Sequence, residues 1–67
     1  MQNHNVEVYT NKEEICGGLG FEPNVNKVIE IDDEIMIIYY DDGLIGVWND
    51  EDIQYFYKHE FSLEKYL

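Results

Sequence analysis

Hydrophobic and polar positions change their period several times along this chain. Val6-Glu7-Val8-Tyr9 alternates with period two, the spacing of a short strand. Thr10-Asn11-Lys12-Glu13 then fits a capping box: the Thr10 hydroxyl accepts from a first-turn backbone N–H and Glu13 reaches back. It predicts a short helix over Asn11 to Cys16, stopped by Gly17-Gly18. Pro23 fixes its own φ and holds Glu22 extended, so Glu22-Pro23-Asn24 is a turn. Three strands follow, over Val28 to Ile31, Ile35 to Tyr40 and Leu44 to Trp48. Asp32-Asp33-Glu34 connects the first two, and Asp41-Asp42-Gly43 makes a hairpin, with Gly43 and Asp42 suited to positive φ. Beyond them Ile53, Phe56 and Tyr57 fall at i, i+3 and i+4, one face of a helix capped by Asn49 or Asp50. Asp50, Glu51 and Asp52 in its first turn and Lys58 and His59 late would both suit the helix dipole. Ser62 is placed to cap a last short turn over Leu63 to Leu67, and the polar start from Met1 to Asn5 reads as loose.

The pattern predicts one domain over residues 1–67 with an α+β fold: a small three- to four-stranded antiparallel meander, a short N-terminal helix and a C-terminal helix. Its central strand is apolar on both sides, with Ile35, Ile37 and Tyr39 on one face and Met36, Ile38 and Tyr40 on the other. Both faces therefore need a cover. The sheet can close into a barrel, the N-terminal segment can pack opposite the C-terminal helix, or a partner can cover the second face, which leaves room for a homodimer. An SH3-like small barrel is the alternative fold. The stretch Tyr40-Asp41-Asp42-Gly43-Leu44-Ile45-Gly46-Val47-Trp48, followed by Asp52-Ile53, resembles the late hairpin and one-turn helix of such barrels.

Charge changes the picture most. Between Val28 and Tyr57 lie Glu30, Asp32, Asp33, Glu34, Asp41, Asp42, Asp50, Glu51 and Asp52, with no basic residue among them. The whole chain carries 15 acids against four lysines, for a net charge of -11. Arginine is absent. Direct nucleic-acid binding, which needs cations on the phosphates, is excluded as a function class, and adsorption to anionic lipid is opposed. An acidic disordered tail is excluded too, because 45% of residues are hydrophobic and 15% aromatic. A lone Cys16 allows no internal disulfide, no secretory signal is visible, and the Ile35 to Tyr40 run is far too short to span a bilayer. These readings point to the cytoplasm, of a host cell if the source is a phage. The lack of alanine beside many Ile, Asn, Tyr, Glu and Asp fits an AT-rich coding sequence, as in a low-GC bacterium or its phage.

Enzymatic and cofactor chemistry finds no foothold. Asp41-Asp42-Gly43 lacks the alternating carboxylates of a calcium loop. Cys16, His4 and His59 are too scattered for zinc. Cys16-Gly17-Gly18 brings no base or orienting group beside the thiol to activate it as a nucleophile. Gly17-Gly18-Leu19-Gly20 is followed by Phe21-Glu22 rather than a phosphate-reaching lysine. The expectation is a non-enzyme without catalytic residues, metal or cofactor.

What remains is partner binding through acids and aromatics: Glu30, Asp32, Asp33, Glu34, Tyr39, Tyr40, Asp41, Asp42, Trp48, Asp50, Glu51 and Asp52. Tyr or Trp beside carboxylates can hold a Lys stem or stack on Arg while the carboxylates bind the charge. Carboxylates at i and i+2 of a strand stand roughly 6.6 Å apart, a spacing on the scale of a row of phosphates. The expected partner is a basic protein, a nucleic-acid-binding enzyme whose cationic groove accepts this surface. In size, charge and aromatic content the chain resembles small DNA-mimic inhibitors, including phage-encoded blockers of restriction enzymes, CRISPR nucleases and DNA-repair glycosylases. The alternative is an acidic protein-binding module such as an antitoxin, an immunity protein or a polymerase-associated regulator.

Overall fold

The computed structural model describes residues 4–67. Part of the expected loose start, residues 1–3, lies outside the described residues. Five strands form one antiparallel sheet in chain order: β1 Val6–Tyr9, β2 Val25–Ile31, β3 Ile35–Tyr40, β4 Leu44–Asn49 and β5 Asp52–Tyr57. The predicted α+β fold with two helices is thereby corrected to a mostly β architecture. The barrel alternative falls as well, because β1 and β5 are the two edges of an open sheet and do not pair.

The largest correction is β5, where a C-terminal helix was expected. Asn49 pairs with Asp52, so Asp50 and Glu51 form a two-residue hairpin turn rather than a helix start. Asp50 takes φ 34°, a left-handed conformation that Asp tolerates better than most residues. Ile53, Phe56 and Tyr57 satisfy a helical spacing, but as a strand the same run puts Ile53, Tyr55 and Tyr57 on one face and Phe56 on the other. Its β-branched and aromatic residues favour the strand. Pairing also satisfies the N–H and C=O groups along the outer edge of β4, which a helix would leave unpaired.

The N-terminal helix shrinks to little more than one wide turn over Glu14–Gly18. Its start is held by Asn11 rather than Thr10: Asn11 Oδ1 accepts from the N–H groups of Glu13 at 2.8 Å and Glu14 at 3.3 Å. Gly17 and Gly18 stay inside the turn, and Gly20, at φ 81°, is where the chain reverses. The β2–β3 connection is the three-residue turn Asp32-Asp33-Glu34, as its sequence predicts. Asp32 and Asp33 adopt φ 54° and 56°, and Glu34 N–H closes the turn on the Ile31 carbonyl at 3.1 Å. In the β3–β4 hairpin Gly43 alone takes positive φ, at 96°, while Asp42 Oδ1 accepts from Leu44 N–H at 3.1 Å.

Two cores sandwich the sheet. On one face Ile29, Ile31, Ile37, Ile45 and Val47 are buried beneath the C-terminal segment, which lays Phe61, Leu63 and Tyr66 across them. That segment holds only short 3-10 turns, Lys58–Glu60 and Leu63–Tyr66. Phe61 anchors it, stacking on Tyr66 at 5.9 Å and meeting Tyr39 edge-on at 6.2 Å. On the other face Val25, Val28 and Ile38 are buried with Ile15 under the β1–β2 connection, helped by Leu19 and Phe21. So the N-terminal segment does pack opposite the C-terminal one, but it covers only the β1–β3 half of its face.

Asn5 and His4 are tied down rather than loose. Asn5 N–H donates to Asp32 Oδ1 at 2.8 Å, and Asp32 N–H donates to the Asn5 carbonyl at 2.8 Å. His4 Nδ1 meets Asp32 Oδ2 at 2.5 Å and its Nε2 reaches the Leu67 carbonyl at 2.8 Å. Asp32 raises the His4 pKa, chiefly through this hydrogen bond, and His4 in turn lowers that of Asp32. The His4 contribution to stability is complete below pH 6.5 and is lost as pH rises through its raised folded value. The Asp32 contribution is present above pH 3.8 and is lost as pH falls through its lowered folded value. The melting-temperature gap between wild type and Asp32→Asn should therefore be widest between pH 3.8 and 6.5, narrowing on both sides. In the variant the His4 ring resonances should titrate nearer the ordinary histidine range.

Candidate functional site

An antiparallel meander places alternate turns at opposite ends of its sheet. The Asp32-Asp33-Glu34 turn and the Asp50-Glu51 turn, with Asp52 beside it, therefore share one end. Asp41 and Asp42 lie at the other. Eight of the nine sequence-predicted acids thus form two groups, separated by the length of β3, roughly 17–20 Å. They also sit on turns rather than along a strand face. The two turns of the first group are two strand spacings apart, about 10 Å.

The two ends differ in electrostatics. Asp33, Glu34, Asp50, Glu51 and Asp52 are exposed and make no side-chain hydrogen bond or ion pair among the described residues. Only Asp32 in that group is engaged, by His4 and Asn5. At the opposite end Asp41 accepts from Asn26 Nδ2 at 3.1 Å and faces Lys12 Nζ at 3.5 Å. Lys12 also donates to the Pro23 carbonyl. Lys58 follows the last residue of β5 and lies close to Asp41 and Gly43, while Lys27 sits over the Tyr39 ring at 5.2 Å. One end of the sheet is thus nearly pure negative charge, and the other is partly neutralised.

Glu30 belongs to neither end. It is half-buried directly across from Glu7 on β1, a like-charge pair that would repel. Tyr9 bridges the pair, its hydroxyl donating to Glu7 at 2.7 Å and to Glu30 at 3.2 Å. These two carboxylates, Glu7 first, hold the Tyr9 hydroxyl protonated far above the ordinary tyrosine range. Glu30 is therefore built into the sheet.

The predicted aromatic anchors also separate. Tyr39 points to the C-terminal face and is half-buried against Phe61, and that burial raises its pKa. Tyr40 and Trp48 lie on the opposite face, in a groove the sequence did not suggest. Leu19 and Phe21 form one wall, Met36, Ile38 and Tyr40 the floor, and Trp48 and Ile53 the other wall. The groove continues past Phe21 and Tyr40 to Tyr55 and Leu44, where Glu22 and Asp42 line it. Gly46 makes this convergence possible. A Cβ there would stand 3.3 Å from the Tyr55 ring, 3.4 Å from Tyr40 and 3.5 Å from Ile53. Gly46→Val should overpack the site, lowering stability by about 1–3 kcal/mol in urea unfolding. Ile53 and Tyr55 were missed because a helical reading of 50–57 hid the alternation that sends both to one face.

Among the described residues no other cluster of reactive side chains is brought together. Cys16 is half-buried, with its thiol 3.7 Å from the Glu22 carbonyl. Among the described residues no three His, Cys, Asp or Glu side chains converge to hold a metal ion. No helix among them is long and apolar enough to cross a membrane. No protein-family model, curated protein or solved structure matches the chain.

Proposed function

We propose that this chain is a non-enzymatic inhibitor that occupies the cationic nucleic-acid-binding cleft of another protein, acting in the cytoplasm where that protein works. The observation that carries the reading is the end of the sheet bearing Asp33, Glu34, Asp50, Glu51 and Asp52, free carboxylates on two tight hairpin turns about 10 Å apart. Hairpin turns fixed by β2–β3 and β4–β5 pairing lose less entropy on binding than a flexible acidic tail. Uncompensated charge at one end also steers that end toward a positive groove. The Asp41–Asp42 end, partly neutralised by Lys12, is secondary in this reading.

Competition tests it. A target captured at low salt should be released by duplex DNA or RNA, and its affinity should fall steeply as salt rises. A target that stays bound in saturating nucleic acid would defeat the reading. The apolar groove favours the second reading in that event, a protein-binding module of the antitoxin, immunity or polymerase-regulator kind, because its recognition would not depend on a phosphate-binding surface.

A further inference from the structure

The apolar groove on the Tyr40–Trp48 face is not needed to imitate phosphates, yet it leaves large apolar side chains of the sheet uncovered. Trp48 and Ile53 are each 39% exposed and Tyr55 is 55% exposed. The β1–β2 connection stops short of them, leaving Leu19 and Phe21 as a wall rather than a lid. Between the Met36 and Tyr40 rows the floor runs about 13 Å along the strands. Both of its ends are acidic. The Met36–Trp48–Ile53 row adjoins the turns carrying Glu34, Asp50 and Glu51, and the Tyr55–Leu44 end is lined by Glu22 and Asp42. An apolar floor between two anionic ends is complementary to a segment with the opposite arrangement.

We propose that this groove seats a segment of the partner protein bearing two or three large apolar side chains flanked on both sides by Lys or Arg. The proposal rests on the inhibitor reading, to which it adds the chemistry of the contact: apolar side chains enter between Phe21 and Trp48, and the flanking cations reach the acids at either end. A second copy of the chain fits poorly. Apposing two grooves would bring together two molecules of net charge -11 with their acidic ends side by side. Of the apolar stretches of this chain bracketed by lysines, Lys58 to Lys65 has Phe61 and Leu63 already packed on the opposite face, and Lys12 to Lys27 already supplies Leu19 and Phe21 to the groove itself.

Trp48 is the one tryptophan in the sequence, so its emission reports occupancy of the groove directly. The probes are short synthetic peptides with two lysines at each end and Leu, Met or Phe at three central positions. Controls replace the central residues by Ser, or the lysines by Glu. The apolar basic set should shift Trp48 emission saturably at low salt, and each control should bind about tenfold more weakly or worse. Ile53→Ser should weaken binding by a similar factor while keeping a cooperative melt, since Ile53 lies at the groove wall and outside the buried core. The proposal is overturned if no apolar basic peptide moves the emission at about 1 mM, if the Ser control binds equally well, or if sedimentation shows a dimer that buries Trp48. The two readings fail separately. Peptide binding with a target that nucleic acid cannot displace removes the inhibitor reading and keeps the groove. Nucleic-acid displacement with unresponsive Trp48 does the reverse.

Discussion

Ile37→Ala should lower stability by about 2–5 kcal/mol and the melting temperature by roughly 10–30 °C, as followed by circular dichroism in heat and urea. Ile37 is fully buried on the central strand, between Ile29 on β2 and Val47 on β4, under the C-terminal segment. Removing its outer carbons leaves a cavity that neighbours held in ladders on both sides cannot collapse to fill. The effect is large in proportion because a chain of 67 residues has about 3–10 kcal/mol of stability in total. Val8→Ala is the control. Val8 is 54% exposed on the edge strand β1, and its truncation should stay within about 0.5 kcal/mol. Equal effects at the two positions would show that the central strand is not packed as described.

Converting the free acids of one end to amides (Asp33→Asn, Glu34→Gln, Asp50→Asn, Glu51→Gln and Asp52→Asn together) should weaken capture of a cationic target by about a hundredfold or more at low ionic strength. Most of that loss should appear in the association rate, because exposed rim charges steer encounter more than they hold the complex. Asn keeps the left-handed turns at Asp33 and Asp50, so the scaffold survives the change. Stability should rise, because removing five of fifteen acids relieves self-repulsion in a chain of net charge -11. Asp41→Asn with Asp42→Asn should cost much less affinity, since Lys12 already balances part of that end. Surface plasmon resonance over a salt series reads both variants. Equal losses from the two ends, or none from the first, would break the link between hairpin charge and binding.

The parts of the fold legible in the sequence are those where local chemistry allows one answer. Ile35 to Tyr40 followed by Asp41-Asp42-Gly43 and a second apolar run admits little but a hairpin, and β3 is bounded as its residues predict. The segment after Trp48 was ambiguous because Ile53, Phe56 and Tyr57 obey a helical period while Ile53, Tyr55 and Tyr57 obey a strand period. The choice rests with β4, whose outer edge gains a ladder from Leu44–Tyr57 to Asn49–Asp52. Local propensity cannot see that edge. The short N-terminal helix likewise gave way to a wide turn, because Ile15 is drawn into the core beneath Val28 and Ile38.

The candidate site divides in the same way. The sequence by itself determined the excess of acid, the lack of arginine and a central strand apolar on both faces, because charge and alternation belong to the residues. Only the tertiary structure decided that eight of the nine sequence-predicted acids split between two ends of a five-stranded sheet, that Lys12 balances part of one end, and that Trp48, Ile53 and Phe21 line one groove. Those outcomes depend on the number of hairpins and on which segment covers which face, and both are set by long-range pairing and packing.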